Sequence, residues 1–145
     1  MKVGIANDHR GYKLKNELVK FLETIGYEVV NYGSDSEDPV DYPVYAFKLG
    51  EAVRDKEVDK GILICRTGIG MSIACNKVKG VRCAKVDSVE DAALTRLDND
   101  SNVMAISYVK DLTEIKEIVK TFLEMKFSNE ARHQRRIDLI NKYDN

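Results

Sequence analysis

Cys65 closes an apolar run, Gly61-Ile62-Leu63-Ile64, and is followed at once by Arg66-Thr67-Gly68-Ile69-Gly70. Gly68 and Gly70 permit a tight turn and close backbone approach. The N–H groups of such a turn can form an anion nest or an oxyanion hole. A cysteine at the base of that nest, near a helix start, is expected to ionise readily, and its thiolate can then act as a base on a carbon-bound proton. The plainer reading is a small core residue at a strand end. Asp8 and His9 follow the first apolar run, where Asp8 serves equally well as a helix cap or as a ligand group. Arg132 and Arg136 are four apart and share one helix face. They can fork onto phosphate oxygens or form a solvated basic face. Tyr42 is uninformative alone, and Cys75 and Cys83 read as buried filler.

These residues must be positioned by elements, and the pattern of elements is regular. Short apolar runs alternate with helical patterns, the signature of α/β architecture with a parallel sheet. Strands are expected at about 2–7, 28–32, 61–65, 82–86 and 103–107. Helices are expected at about 12–25, 42–55, 71–77, 112–125 and 130–142, with a further one capped by Ser88. The implied architecture is a three-layer Rossmann-like fold, with about five parallel strands and helices on both faces. In such sheets ligands bind beyond the carboxyl ends of the strands, where Asn7 to Gly11 and Cys65 to Gly70 both fall. The segment from Asp98 to Asn102 precedes the fifth strand and comes near only through tertiary folding.

Composition narrows the function classes. The chain has 145 residues, 43% hydrophobic and 32% charged, which fits one domain spanning 1–145. A net charge of −1 gives no electrostatic footprint for nucleic acid or membrane. The N-terminal apolar run is too short for a signal peptide, and three cysteines without zinc spacing are expected to stay reduced in the cytoplasm. Two phosphate motifs fail by residue. Met71 and Ser72 stand where a nucleotide P-loop needs Lys and Ser or Thr, and Ile73 stands where the dinucleotide fingerprint needs a small residue. Met71 also occupies the place of the arginine in the cysteine phosphatase motif.

Taken together, five segments resemble ribose-5-phosphate isomerase B and its relatives, the galactose-6-phosphate and allose-6-phosphate isomerases. They are Asn7-Asp8-His9-Arg10-Gly11, Asp41-Tyr42-Pro43, Cys65 through Lys77, Asn99-Asp100-Ser101-Asn102-Val103 and Arg132-His133-Gln134-Arg135-Arg136. The resemblance implies an aldose–ketose isomerase acting on a sugar phosphate, foremost ribose 5-phosphate, through an enediolate. It implies Cys65 as the base between C1 and C2, and Thr67 in ring opening or hydroxyl positioning. The amides of Arg66, Gly68, Ile69 and Gly70 would hold the oxyanion. Asp8, Tyr42 and Asn99 would contact sugar hydroxyls, and His9, Arg132 and Arg136 the phosphate. It further implies no metal or other cofactor, and a homodimer or homotetramer with sites between subunits, onto which the C-terminal helix can pack.

Three positions depart from the family pattern. Arg66 replaces a common glycine, Asp98 replaces a histidine that helps open the furanose ring, and Val109 stands near a family arginine, with Lys110 adjacent. A carboxylate at Asp98 is not an equivalent proton shuttle near neutral pH. The substrate can therefore be another sugar phosphate, such as allose 6-phosphate or galactose 6-phosphate. A non-catalytic phosphosugar-binding subunit is the remaining alternative.

Overall fold

The computed structural model describes residues 1–144. The strands are β1 (Lys2–Asn7), β2 (Glu28–Asn31), β3 (Lys60–Cys65), β4 (Cys83–Lys85) and β5 (Val103–Ser107). The helices are α1 (Tyr12–Thr24), α2 (Tyr42–Arg54), α3 (Ile69–Cys75), α4 (Val89–Asn99), α5 (Leu112–Glu124) and α6 (Ala131–Lys142). All strand pairs are parallel, in the order β2-β1-β3-β5-β4.

Alternation along the strands sorts the core into two layers. Val3, Ile5, Ile62, Ile64, Met104 and Ile106 face α1 and α5, against Leu18, Leu22, Ile118 and Phe122. Ala6, Leu63, Cys65, Val103 and Ala105 face the opposite layer, against Leu49 and Val53 of α2 and Met71 and Cys75 of α3. Cys65 thus ends the central strand on the α2/α3 side. Strands buried on both faces explain why β3 reads as a continuous apolar run.

The boundaries fall within about two residues of the expected ones, and the clearest differences have local causes. Helix α3 begins at Ile69 rather than Met71, because the Thr67 hydroxyl accepts the Ile69 N–H at 3.1 Å and starts the turn early. Strand β4 is short because the Arg82 N–H goes to Asn102 Oδ1 at 2.8 Å instead of to the ladder. Ser88 caps α4 as expected, accepting from Asp91 N at 3.0 Å. Cys75 is fully buried, whereas Cys83, expected to be buried too, is only half-buried because its strand lies at the sheet edge. A hydrogen bond with the Cys75 thiol, with burial, pushes the Cys83 thiol up.

The loop between β2 and α2 is tied down by an enclosed lysine. Lys15 of α1 is 0% exposed, and its Nζ donates to the Ser34 carbonyl and to Asp35 Oδ1, the latter at 3.0 Å. The bond from Lys15 Nζ to Asp35 and a further one from Asn31 hold the Asp35 carboxyl below its ordinary value. Without Lys15 the loop has a buried carbonyl lacking its donor, which costs about 1–3 kcal/mol. Lys15→Met is therefore expected to lower unfolding stability by about that much at neutral pH, measured by urea titration. Because the Asp35 value is depressed, its share is present at neutral pH and disappears as pH falls through its lowered folded value. The gap between wild type and variant should narrow in acid, and a gap that widened there would contradict the assignment.

Candidate active site

The carboxyl end of β3 places Cys65 beside the turn that starts α3. The Gly68 N–H donates to Cys65 Sγ at 3.1 Å. Gly68 reaches that position with a left-handed backbone, φ +82°. An added Cβ there would lie 3.1 Å from the Ala105 carbonyl oxygen, so both the dihedral and the space call for glycine. The turn is braced from β5. The Ser107 hydroxyl donates to the Arg66 carbonyl and accepts from Val109 N at 3.1 Å. Cys65 itself is 7% exposed, which keeps its sulfur at the floor of the turn.

The end of β1 lies alongside. Asp8 N donates to the Ile64 carbonyl at 2.9 Å, which draws the two strand ends together. Asp8 Oδ1 accepts from Gly11 N at 2.8 Å, so the carboxylate does act as a cap, and it does so within the same strand-end region as Cys65. His9 Nδ1 accepts from Val40 N at 3.4 Å, tying it to the loop secured by Lys15. Tyr42, at the start of α2, lies over Gly70: a Cβ on that glycine would be 2.6 Å from the tyrosine Oη. Asp8, His9, Tyr42 and the Cys65–Gly70 turn are thus gathered at one end of the sheet. On the other flank of the turn, Arg66, Thr67, Lys85, Asp87, Ser107 and Lys110 line a cleft of about 340 Å³.

The remaining expected site residues lie elsewhere. Val103 pairs with Gly61 and Ser107 with Cys65, so the start of β5 is four residues from the cysteine end of the sheet, roughly 13 Å at the usual rise. Asp98 and Asn99 precede that start, at the end of α4. Arg132 and Arg136 lie on α6, which packs against α4. Asn99 is held in place by its neighbours: its Oδ1 accepts from the Thr95 hydroxyl at 3.1 Å and its carbonyl from Arg82 Nε at 3.0 Å. Arg132 Nη2 pairs with Glu130 Oε2 at 2.9 Å, and both arginines are exposed. Within one chain the two groups of expected site residues therefore lie at opposite sheet ends and are not brought together.

Three contributors escaped the local reading. Ser107 carries no motif, and its role follows only from being the register partner of Cys65. Lys85 reaches the cleft because β4 pairs with β5, a non-local fact. His133 is enclosed against Asp98, which no spacing rule connects.

Comparison with known proteins identifies the family. The family model for Ribose/Galactose Isomerase matches residues 3–140. A putative sugar phosphate isomerase, YwlF, of Bacillus subtilis is 44% identical, with 99% of this chain and 97% of that protein covered. Ribose-5-phosphate isomerase B of Escherichia coli is 42% identical, over 96% and 93% of the two chains. Among solved structures, ribose-5-phosphate isomerase B of Clostridium thermocellum superposes with a TM-score of 0.96 at 42% identity, covering 99% of this chain and 97% of that one. The Mycoplasma genitalium enzyme with bound ribulose-5-phosphate gives 0.92 at 40% identity, covering 99% and 95%.

Gly68→Ala tests the turn. The left-handed backbone alone costs an L-residue about 1–2 kcal/mol, so thermal or urea unfolding should show at least that loss, and the Gly68 N–H to sulfur contact should be disturbed. A variant as stable as wild type would mean that the turn is not held as described. By its sequence, its fold and its match over nearly the whole chain, this protein belongs to the ribose/galactose isomerase family, within the ribose-5-phosphate isomerase B group, and is an isomerase.

Proposed function

We propose that the chain interconverts ribose 5-phosphate and ribulose 5-phosphate by moving a proton between C1 and C2, with Cys65 as the base. The observation that carries this reading is the Gly68 N–H directed at Cys65 Sγ at 3.1 Å. That contact fixes the sulfur at the floor of the turn, beside the main-chain amides that follow it. The amides of Arg66, Gly68, Ile69 and Gly70 form the adjoining turn and would meet the oxygen on which enediolate charge develops. Thr67 would position a sugar hydroxyl or assist ring opening. Asp8 and Tyr42 would bind hydroxyls and His9 the phosphate. Base, oxyanion cradle and cations are all protein groups, so the reaction as drawn asks for no cofactor.

The second half-site would come from another copy of the chain. A partner's Asp98, Asn99, Arg132 and Arg136 would close over the Cys65 end, adding two guanidinium groups for the phosphate. An apolar rim beside that end supports such docking: Val44 and Phe47 on α2, and Ile69 and Ile73 on α3, are 39–61% exposed. The C-terminal helix offers Leu139 and Ile140, 64% and 51% exposed, as apolar matter to cover. The assembly is read as a homodimer, alone or paired into a tetramer. Among the described residues no helix is long and apolar enough to cross a membrane. Three free cysteines fit a reducing cytoplasm.

A second substrate has a specific observation in its favour. Arg66 and Lys110 line the cleft beside the turn, so a hexose phosphate such as allose 6-phosphate or galactose 6-phosphate is the next candidate. Deuterium incorporation from solvent, followed by NMR across these sugar phosphates, decides among them. Cys65→Ala should lose exchange by at least about 100-fold while still binding substrate. Wild-type exchange in that variant would remove Cys65 from the mechanism. Wild type that binds sugar phosphates but exchanges none would favour a non-catalytic binding subunit. Shared sites give a further expectation. Cys65→Ala and Asp98→Ala homodimers, each impaired, should recover about a quarter of wild-type turnover when mixed and allowed to exchange subunits. No recovery would place each site within one chain.

A further inference from the structure

His133, 9% exposed on α6, is an enclosed titratable group that the proposed reaction leaves unused. Its Nε2 lies 3.4 Å from Asp98 Oδ1 on α4 and 3.3 Å from Glu130 Oε2 at the start of its own helix. The same nitrogen lies 3.4 Å from Arg132 Nε. One ring nitrogen therefore faces a donor and two acceptors. Neutral imidazole can accept from Arg132, and imidazolium can donate to either carboxylate. Glu130 is already engaged by Arg132 Nη2 at 2.9 Å. Asp98 has no other ion pair among the described residues, and its side chain is 45% exposed. Asp98 thus has carboxylate surface free for a ligand while Oδ1 faces an enclosed imidazole.

Sequence alone left a gap at this place, because a carboxylate at Asp98 is a poor proton shuttle near neutral pH. The structure fills it with a histidine from another helix. We propose that Asp98 and His133 work as one acid–base pair that opens the furanose ring of the aldose phosphate. Asp98 touches the sugar, and His133 acts through it as a positioning and proton-sharing residue. This rests on the isomerase reading above, with the pair contributed by the second copy. In the step, the anomeric O1–H proton passes to the pair and the C1–O4 bond breaks. The bonding electrons stay on O4, which takes a proton back from the pair, while C1=O1 forms. The pair ends with as many protons as it began with, and no outside reagent is consumed.

The two directions of the reaction separate ring opening from proton transfer. Ribose 5-phosphate enters as a ring. Ribulose 5-phosphate carries its phosphate on O5 and cannot close a furanose on C2, so exchange of its C1 hydrogen needs no ring opening. In His133→Gln and in Asp98→Asn, turnover of ribose 5-phosphate should fall about 100-fold. In His133→Gln, deuterium incorporation at C1 of ribulose 5-phosphate in heavy water should stay within about two-fold of wild type, which also reports an intact fold. Adding Asp98→His to the His133→Gln background should restore aldose turnover by returning an imidazole to the sugar. Unchanged aldose turnover in the single variants overturns the proposal. So does a parallel fall of turnover and exchange in His133→Gln, the signature of a structural or binding defect. Wild type silent with both sugars would instead sink the isomerase reading, and the ring-opening pair with it.

Discussion

The hydrogen bond from the Gly68 N–H to Cys65 Sγ constrains everything around it. A main-chain donor can face back onto a side chain three residues earlier only if the chain reverses sharply. That reversal is the left-handed Gly68, pressed against the Ala105 carbonyl. The turn in turn needs a rigid bed, which β3 and β5 provide by pairing Cys65 with Ser107. Ser107 then closes the frame by binding the Arg66 carbonyl. The left-handed turn at Gly68 is thus seated on β3 and β5, central strands buried on both faces.

Parallel topology keeps the two groups of proposed site residues apart within one chain. Every strand in this sheet runs the same way, so residues after a strand and residues before one lie at opposite ends. Asp8, His9 and Cys65 follow strands, whereas Asp98 and Asn99 precede β5. No loop movement of ordinary size spans the sheet. In the proposed assembly a second copy would meet the need without distortion, because a symmetric pair would present each half-site to the other twice. Catalysis and assembly would then be linked: whatever loosens the α2/α3 rim would also dilute the partner's Asp98, Arg132 and Arg136.

Much of this was legible in the sequence, for physical reasons that differ by element. The strands could be read because burial on both faces leaves continuous apolar runs, as in Gly61 to Cys65. Ser88 could be read as a cap because capping is settled within three residues. The Cys65 turn could be read because a glycine pair after a strand restricts the backbone to few shapes. The early start of α3 was not legible, since it depends on which donor the Thr67 hydroxyl meets. Ser107, Lys85 and His133 were not legible either. Each matters through a partner distant in sequence, by register or by helix packing, and no local pattern encodes that. Asp98 is the instructive case. It looked like a loss when weighed as a single residue, and gained a role only once His133 was found beside it.

The central claim is that the Cys65 sulfur, held beside main-chain donors, reaches the carbon that gives up its proton under the cover of a second chain. A crystal structure of the protein with ribulose 5-phosphate bound tests this most directly. The account predicts the Cys65 sulfur in van der Waals contact with C1 or C2, about 3.5–4 Å away, and a sugar oxygen on the amides of the turn. It also predicts the phosphate between His9 of one chain and Arg132 and Arg136 of the other. A sugar bound away from the sulfur, or held wholly by one chain, would contradict it.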